Sequence, residues 1–180
     1  TGAASGIGEA IAKTLAVAGA FVYVADLDET NGERVTSEIG VGNAVFHKLN
    51  VAEKEECQKT AELVFAEKGQ LDILVNNAGS VVSRARIEDC SLELWQQAIA
   101  VNLTSAFAVT QRAIPYLRGT GNGAIVNNLS LSVQTGGANG AGCTTTDGDQ
   151  ADHDVCHVRL QPSGTNTINW QRFDNNGSTT

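Results

Sequence analysis

The residues with the clearest chemical meaning in this chain are glycines. Thr1-Gly2-Ala3-Ala4-Ser5-Gly6-Ile7-Gly8 sets three of them at the spacing G-x-x-x-G-x-G, and Ile7, Ile11 and Leu15 continue at helical spacing. A glycine-rich turn that runs into a helix lets backbone N–H groups approach a phosphate, and the positive end of the helix dipole favours its charge. Side chains larger than hydrogen would block that approach. Asp26 lies about 20 residues beyond the turn, where a carboxylate accepts hydrogen bonds from the 2′- and 3′-hydroxyls of an adenosine ribose. The same carboxylate repels a 2′-phosphate, so NAD is favoured over NADP. Read alone, Asp26 is also an ordinary acid in a strand-to-helix loop, serving as a cap.

The elements that must position these groups alternate in type. Residues 21–25 are a β-branched and aromatic run that ends at Asp26, the composition of a buried strand. Residues 29–39 predict a polar amphipathic helix with Val35 and Ile39 inward. Residues 44–49 predict a strand ending at Asn50-Val51. Residues 53–68 predict a helix with Cys57, Ala61, Val64 and Phe65 on one side, closed by Gly69. Residues 71–75 predict a strand that runs into Asn76-Asn77-Ala78-Gly79. Residues 91–118 predict one long helix, capped by Ser91 and ended by Pro115 and Gly119, with Trp95, Ile99, Leu103, Phe107 and Ile114 recurring at helical spacing. Residues 124–129 predict a strand with Ser130 at its carboxyl end. Strands alternating with helices imply an α/β fold, a doubly wound parallel sheet of Rossmann type covered on both faces. In such sheets ligands bind beyond the carboxyl ends of the strands. The glycine turn, Asp26, Asn50, Asn77 to Gly79 and Ser130 all fall there.

Composition bounds the rest. The 180 residues suit one domain, and a net charge of -8 disfavours nucleic acid as a partner. No apolar run is long enough to span a bilayer. The four cysteines, Cys57, Cys90, Cys143 and Cys156, include no C-x-x-C pair, which reads as reduced thiols of a cytoplasmic protein. A strand should lead into the glycine turn, and none does, so an N-terminal truncation is expected. After Gly142 the chain turns rich in Asp, Thr and Asn, with a weak strand through 155–160. Asp152, His153, Asp154, Cys156 and His157 are ligand types in one cluster, but a solvated acidic tail accounts for them and no metal site is expected. His47 is expected to be structural, and Trp95 and Phe107 to be core or subunit-contact residues.

Together these marks resemble the short-chain dehydrogenase/reductase family: the glycine turn, Asp26, Asn50-Val51, Asn76-Asn77-Ala78-Gly79, Asn102 in Val101-Asn102-Leu103, and Ser130 after Ile125-Val126-Asn127. The resemblance covers residues 1–142 in the family's order and spacing. It implies an oxidoreductase that transfers a hydride between a nicotinamide cofactor and a small alcohol or ketone, with a homodimer or homotetramer as the assembly. Carried over by position, Gly2, Ser5, Gly6, Ile7 and Gly8 would hold the pyrophosphate side of NAD, and Asp26 the ribose. Asn50 and Val51 would face the adenine, where the family usually has Asp before the Val. Asn77, Ala78 and Gly79 would lie along the adenosine and support the central strand. Asn102 would hold a water in a proton relay, and Ser130 would hydrogen-bond the substrate oxygen.

The sequence departs from the family at the Tyr-x-x-x-Lys pair. At the family's spacing from Ser130 stand Cys143 and Asp147. The Tyr must exchange a proton near neutral pH, so its phenol must be lowered from about 10. A neighbouring Lys does that. Asp147 reverses the sign, and Cys143 is too short to reach the same oxygen. Further on, Pro162 to Thr167 resembles the family's loop whose Thr contacts the nicotinamide carboxamide, which casts Thr167 in that role. The expected organisation is a dinucleotide-binding domain over 1–142, a divergent remnant of the catalytic and substrate-loop region over 143–173, and a disordered tail over 174–180. The alternative to an active enzyme is a family member or fragment that binds NAD but lacks the Tyr/Lys pair.

Overall fold

The computed structural model describes residues 1–83, 85 and 87–129, together with the backbone of 155–158. The elements run α1 (Gly6–Val17), β1 (Val22–Asp26), α2 (Glu29–Ile39), β2 (Ala44–Lys48), α3 (Lys54–Lys68), β3 (Ile73–Asn76), α4 (Leu92–Ile99), a π turn (Ala100–Thr104), α5 (Ser105–Gly119), β4 (Ala124–Asn128) and β5 (Val155–Val158). β1 pairs with β2 and β3 with β4, both in parallel, while β5 adds to β4 antiparallel. The fold is therefore α/β with parallel strands joined through helices.

The two parallel pairs belong to separate hydrogen-bonded sheets, β1-β2 and β3-β4-β5. Backbone hydrogen bonds from the start of the glycine turn link them, above an apolar cluster shared by Ala25, Leu74 and Ile125. Thr1 N donates to Val75 O of β3 at 2.9 Å, and Ala3 N donates to Ala25 O of β1 at 3.3 Å. The carboxyl ends of both sheets are thereby tied to the start of α1.

Two apolar clusters cover opposite sides of the strands. Neighbouring strand residues point to opposite faces, and Val24 and Ala25 follow that rule. Val24 packs with Ala12 of α1 and Val35 of α2, whereas Ala25 packs with Cys57 and Ala61 of α3 and with Ala108, Val109 and Ala113 of α5. Val24 and Val35 are fully buried, and Leu49 is 1% exposed at the end of β2. Truncating such a side chain removes its transfer free energy and leaves a cavity. Leu49→Ala is expected to cost about 2–5 kcal/mol, read as a lower urea midpoint at unchanged slope.

Local signals explain the helix ends. Asp28 caps α2 by accepting from Asn31 N at 3.0 Å, and Ser91 caps α4 by accepting from Leu94 N at 3.2 Å. Gly69 closes α3 in the left-handed region at φ 73°, where glycine carries no Cβ penalty.

Two expectations change. The long helix over 91–118 is interrupted by the π turn at Ala100–Thr104, where Ser105 N reaches back to Ala100 O. Asn102 Nδ2 takes the Ala98 carbonyl at 2.9 Å, which removes that acceptor from the helical ladder and explains the local widening. Its end stands where the sequence sets it, at Gly119, with Pro115 inside the last stretch. Trp95 and Phe107 are 48% and 60% exposed, which takes them out of the core and leaves subunit contact as the expectation for them. The cysteines divide as well. Cys57 is a free, buried thiol, raised to about 11 by burial, whereas Cys90 is disulfide-bonded, contrary to the expectation of four reduced thiols.

His47 is structural in this packing. Its Nε2 lies 3.2 Å from Thr60 Oγ1, and Thr60 gives its own hydroxyl proton to Glu56 O. The imidazole must therefore donate to Thr60. Burial lowers the His47 pKa below 6.5, against the opposing pull of Glu67 and Glu56. A base depressed in the folded state costs stability once the unfolded chain takes up its proton, so the loss begins as pH falls through about 6.5. Urea midpoints are expected to decline from pH 7 to pH 5. His47→Gln, which keeps a donor for Thr60, should flatten that decline.

Candidate functional site

The site is built around a turn that only glycine can form. Gly2 and Gly6 sit at φ 65° and 55°, the left-handed region that side chains avoid. A Cβ on Gly2 would stand 2.8 Å from Ala78 Cα, and one on Gly8 would collide with the Gly2 carbonyl and come within 2.6 Å of Asn77 Nδ2. A Cβ on Gly6 would meet nothing within 4 Å. Gly8 is thus a packing glycine, and Gly6 faces open space. α1 begins at Gly6 with Ser5 as its N-cap, and the Ser5 side chain makes no cap bond. Glu9 N is the first helical amide to find a carbonyl, that of Ser5. The amides ahead of it belong to the open first turn, where N–H groups lack helical partners and the dipole is positive.

Asp26 ends β1 and lies against this turn. Its Oδ2 accepts from Ala4 N at 2.9 Å and its Oδ1 from Asp28 N at 3.0 Å. In strand register Asp26 stands beside Lys48, two residues before Asn50. The Asn50 carboxamide oxygen accepts from Ala52 N at 3.1 Å, and Asn50 N donates to Glu56 Oε2 at 2.8 Å. That oxygen serves its own turn. Val51 packs against the core under α3.

Asn77 joins three elements. Its Nδ2 donates to Thr1 O at 3.2 Å and Gly2 O at 3.0 Å. Its Oδ1 accepts from Asn128 Nδ2 of β4 at 2.8 Å. Thr1 Oγ1 accepts from Asn77 N and Ala78 N at 3.2 and 3.1 Å. Just below, Asn76 Nδ2 donates to Thr110 Oγ1 and Asn127 Oδ1 at 3.0 and 2.8 Å. Asn76 Oδ1 is buried without a partner among the described residues.

Asn102 also works through the backbone. Its Oδ1 accepts from Ser80 N and its Nδ2 donates to Ser80 O, both at 3.0 Å. With the bond to Ala98 O, the carboxamide holds the loop after Gly79 onto the π turn. A water relay was expected at this residue; the bonds that its side chain makes here are to protein. Between these groups lies a cleft of about 270 Å³, lined by Asn76, Ala78, Asn102, Phe107, Asn127 and Leu129 among others.

The structure therefore gathers Gly2, Ser5 to Gly8, Asp26, Asn77 to Gly79 and Asn102 around the carboxyl ends of β1 and β3. Ser130, Cys143, Asp147 and Thr167 lie outside the described residues, as do Asp152, His153 and Asp154 of the acidic and histidine cluster, while Cys156 and His157 are described only as backbone of β5. Sequence reasoning missed Thr1, Ser80 and Asn128, which act through hydrogen bonds to segments far away in the chain. The only sequence signal for Asn128 was its place beside Asn127 at the polar end of an apolar strand.

The comparisons with known proteins agree with this geometry. The profile of the short chain dehydrogenase family matches residues 1–146. D-threitol dehydrogenase from Mycolicibacterium smegmatis is 40% identical over 133 residues, covering 72% of this chain and 50% of that protein. The 3-oxoacyl-acyl-carrier-protein reductase of Thermotoga maritima is 38% identical over 133 residues, covering 73% and 54%. Among solved structures, a 3-ketoacyl-ACP reductase from Sinorhizobium meliloti superposes with a TM-score of 0.66 at 36% identity, over 70% of this chain and 50% of that one. The chain spans about half the length of the curated relatives it matches. With a profile match over most of its length and a fold shared at this identity, the chain belongs to the short-chain dehydrogenase family.

Proposed function

We propose that this chain carries the cofactor-binding part of an NAD-dependent oxidoreductase that moves a hydride between nicotinamide and a small alcohol or ketone. The observation that carries the reading is the glycine turn: open space at Gly6, an uncapped first turn of α1, and the Asp26 carboxylate one hydrogen bond away at Ala4. Those features fit a dinucleotide. Gly6, Ile7 and Gly8 would face the pyrophosphate with their amides, and Asp26 would accept from the ribose diol. The nicotinamide, when bound, supplies or takes the hydride. This chain's part is to hold the cofactor, exclude a 2′-phosphate, and keep the Gly79–Ser80 loop fixed through Asn102.

The NAD preference rests on Asp26. Asp26→Asn keeps an acceptor for Ala4 N but removes the negative charge. It is expected to lower the NADH-over-NADPH affinity ratio by about tenfold, measured by fluorescence titration. An unchanged ratio would remove Asp26 as the selector.

A second reading is favoured by Cys143 and Asp147 at the positions of the family's Tyr and Lys. The chain would then bind NAD without exchanging the alcohol proton. A panel of secondary alcohols distinguishes the two: NADH formation that survives Cys143→Ala would refute the impairment, and binding without turnover would support it. We also place the chain in the cytoplasm as a homo-oligomer. The exposed Trp95, Leu103 and Phe107 on α4, the π turn and α5 offer an apolar face for a second copy.

A further inference from the structure

Glu9 stands in the first turn of α1, beside the amides that face the glycine turn. A carboxylate there suits the helix dipole, yet it also sets a negative charge next to a site for phosphate, and like charges repel. The structure surrounds it with cations. Arg34 Nη2 and Nη1 donate to Glu9 Oε2 and Oε1 at 2.8 and 3.0 Å, and Lys13 Nζ donates to Glu9 Oε1 at 2.6 Å. Glu38 balances the set, with Arg34 Nη1 at 2.9 Å and Lys13 Nζ at 2.5 Å. Two cations and two anions leave the cluster neutral.

Arg34 does more than neutralise. Its Nη2 also donates to Ala4 O at 3.2 Å, and its Nε donates to Asn31 Oδ1 at 3.3 Å. All five guanidinium N–H groups are thereby engaged. Ala4 is gripped at both ends, its N–H by Asp26 and its carbonyl by Arg34. This is the residue midway between the two left-handed glycines of the turn. Glu9 is the most sheltered of the four charged side chains, at 19% exposure against 38–43% for the others. The hydrogen bonds from Arg34 and Lys13 hold its carboxyl at about 2, so it is ionised at any working pH.

We propose that Arg34 is a positioning residue for the dinucleotide: it cancels the charge of Glu9 and fixes the Ala4 carbonyl, so that the open turn of α1 presents a positive potential to a pyrophosphate. This rests on the reading of the glycine turn as the dinucleotide site. Removing the guanidinium exposes the Glu9 carboxylate to the phosphates; removing both restores neutrality.

The test uses the full chain and NADH fluorescence titration, with thermal midpoints as the check on folding. Arg34→Gln is expected to raise the NADH Kd about tenfold, and the penalty should shrink at about 1 M salt, where charges are screened within about 3 Å. The double variant Glu9→Gln with Arg34→Gln should recover to within about threefold of the starting affinity. Arg34→Lys, which keeps the charge without the planar fork, should also stay within about threefold, and with the double variant it carries the test if Arg34→Gln does not fold. A purely architectural role predicts no rescue by Glu9→Gln and no salt dependence, and either result overturns the proposal. If the unsubstituted chain does not bind NADH at all, the dinucleotide reading falls with it. If that chain binds and Arg34→Gln binds equally well, only the role of Arg34 falls.

Discussion

Gly6→Ala and Gly8→Ala are expected to fail in different ways. Gly8→Ala loses the fold around the turn, because its Cβ must enter the Gly2 carbonyl and the Asn77 amide. Neither is the free end of a flexible side chain: one is backbone and the other is held by Thr1, Gly2 and Asn128. Overpacking of that kind costs about 1–3 kcal/mol or more, and α1 must retreat from the turn. Gly6→Ala meets no atom within 4 Å, so its cost is the left-handed backbone alone, about 1–2 kcal/mol. Its methyl group, however, stands in the space a phosphate would use. Urea denaturation should rank Gly8→Ala as the less stable variant, while NADH titration should find binding lost in both. Equal stability losses would show that the close contact at Gly8 relaxes freely.

Asn77→Ala is expected to be the most damaging polar substitution among the described residues. The side chain bridges the turn, β3 and β4 with three hydrogen bonds. Each bond contributes about 1 kcal/mol, and orphaned partners raise the cost, so a loss of about 2–4 kcal/mol follows. Asn77→Asp should be no better. It keeps the acceptor for Asn128 but points an oxygen at the carbonyls of Thr1 and Gly2. Because the two sheets meet only through the stretch Thr1–Ala3 among the bonds described, the loss should appear as faster exchange of the donor amides Ala3 and Ala78 as well as a lower midpoint. An Asp variant as stable as the parent chain would contradict this hydrogen-bond assignment.

How far the sequence spoke depends on range. β1, β2, β4 and α2 were legible because apolar period and turn residues are local, and helix α2 was read to the residue. Gly69 and Ser91 were legible for the same reason. The π turn was not. It rests on the Asn102 side chain taking the Ala98 carbonyl while also holding Ser80, a residue distant in sequence, and apolar periodicity encodes neither bond. The split of the sheet and the bridge through Thr1 were hidden likewise, since strand pairing is a tertiary choice. At the site, the glycine spacing announced the turn, but only the structure separates Gly6, which faces open space, from Gly8, which is packed. Nothing local singles out Arg34 from the other polar residues of the 29–39 helix. Its contact with Ala4 needs α1 and α2 side by side. For Trp95 and Phe107 the spacing left core and subunit contact both open, since helical spacing gives a face but not what covers it, and their exposure removes the first.

The central claim is that the first turn of α1 and Asp26 form a nicotinamide-dinucleotide site. Amide-resolved NMR titration of the full chain with NADH tests it most directly. The predicted result is a saturable set of shifts led by the Gly6, Ile7 and Gly8 amides, with Ala4 and Asp28 following through their bonds to Asp26. Saturating NADH that leaves those amides unmoved, or that moves only residues remote from the turn, would contradict it.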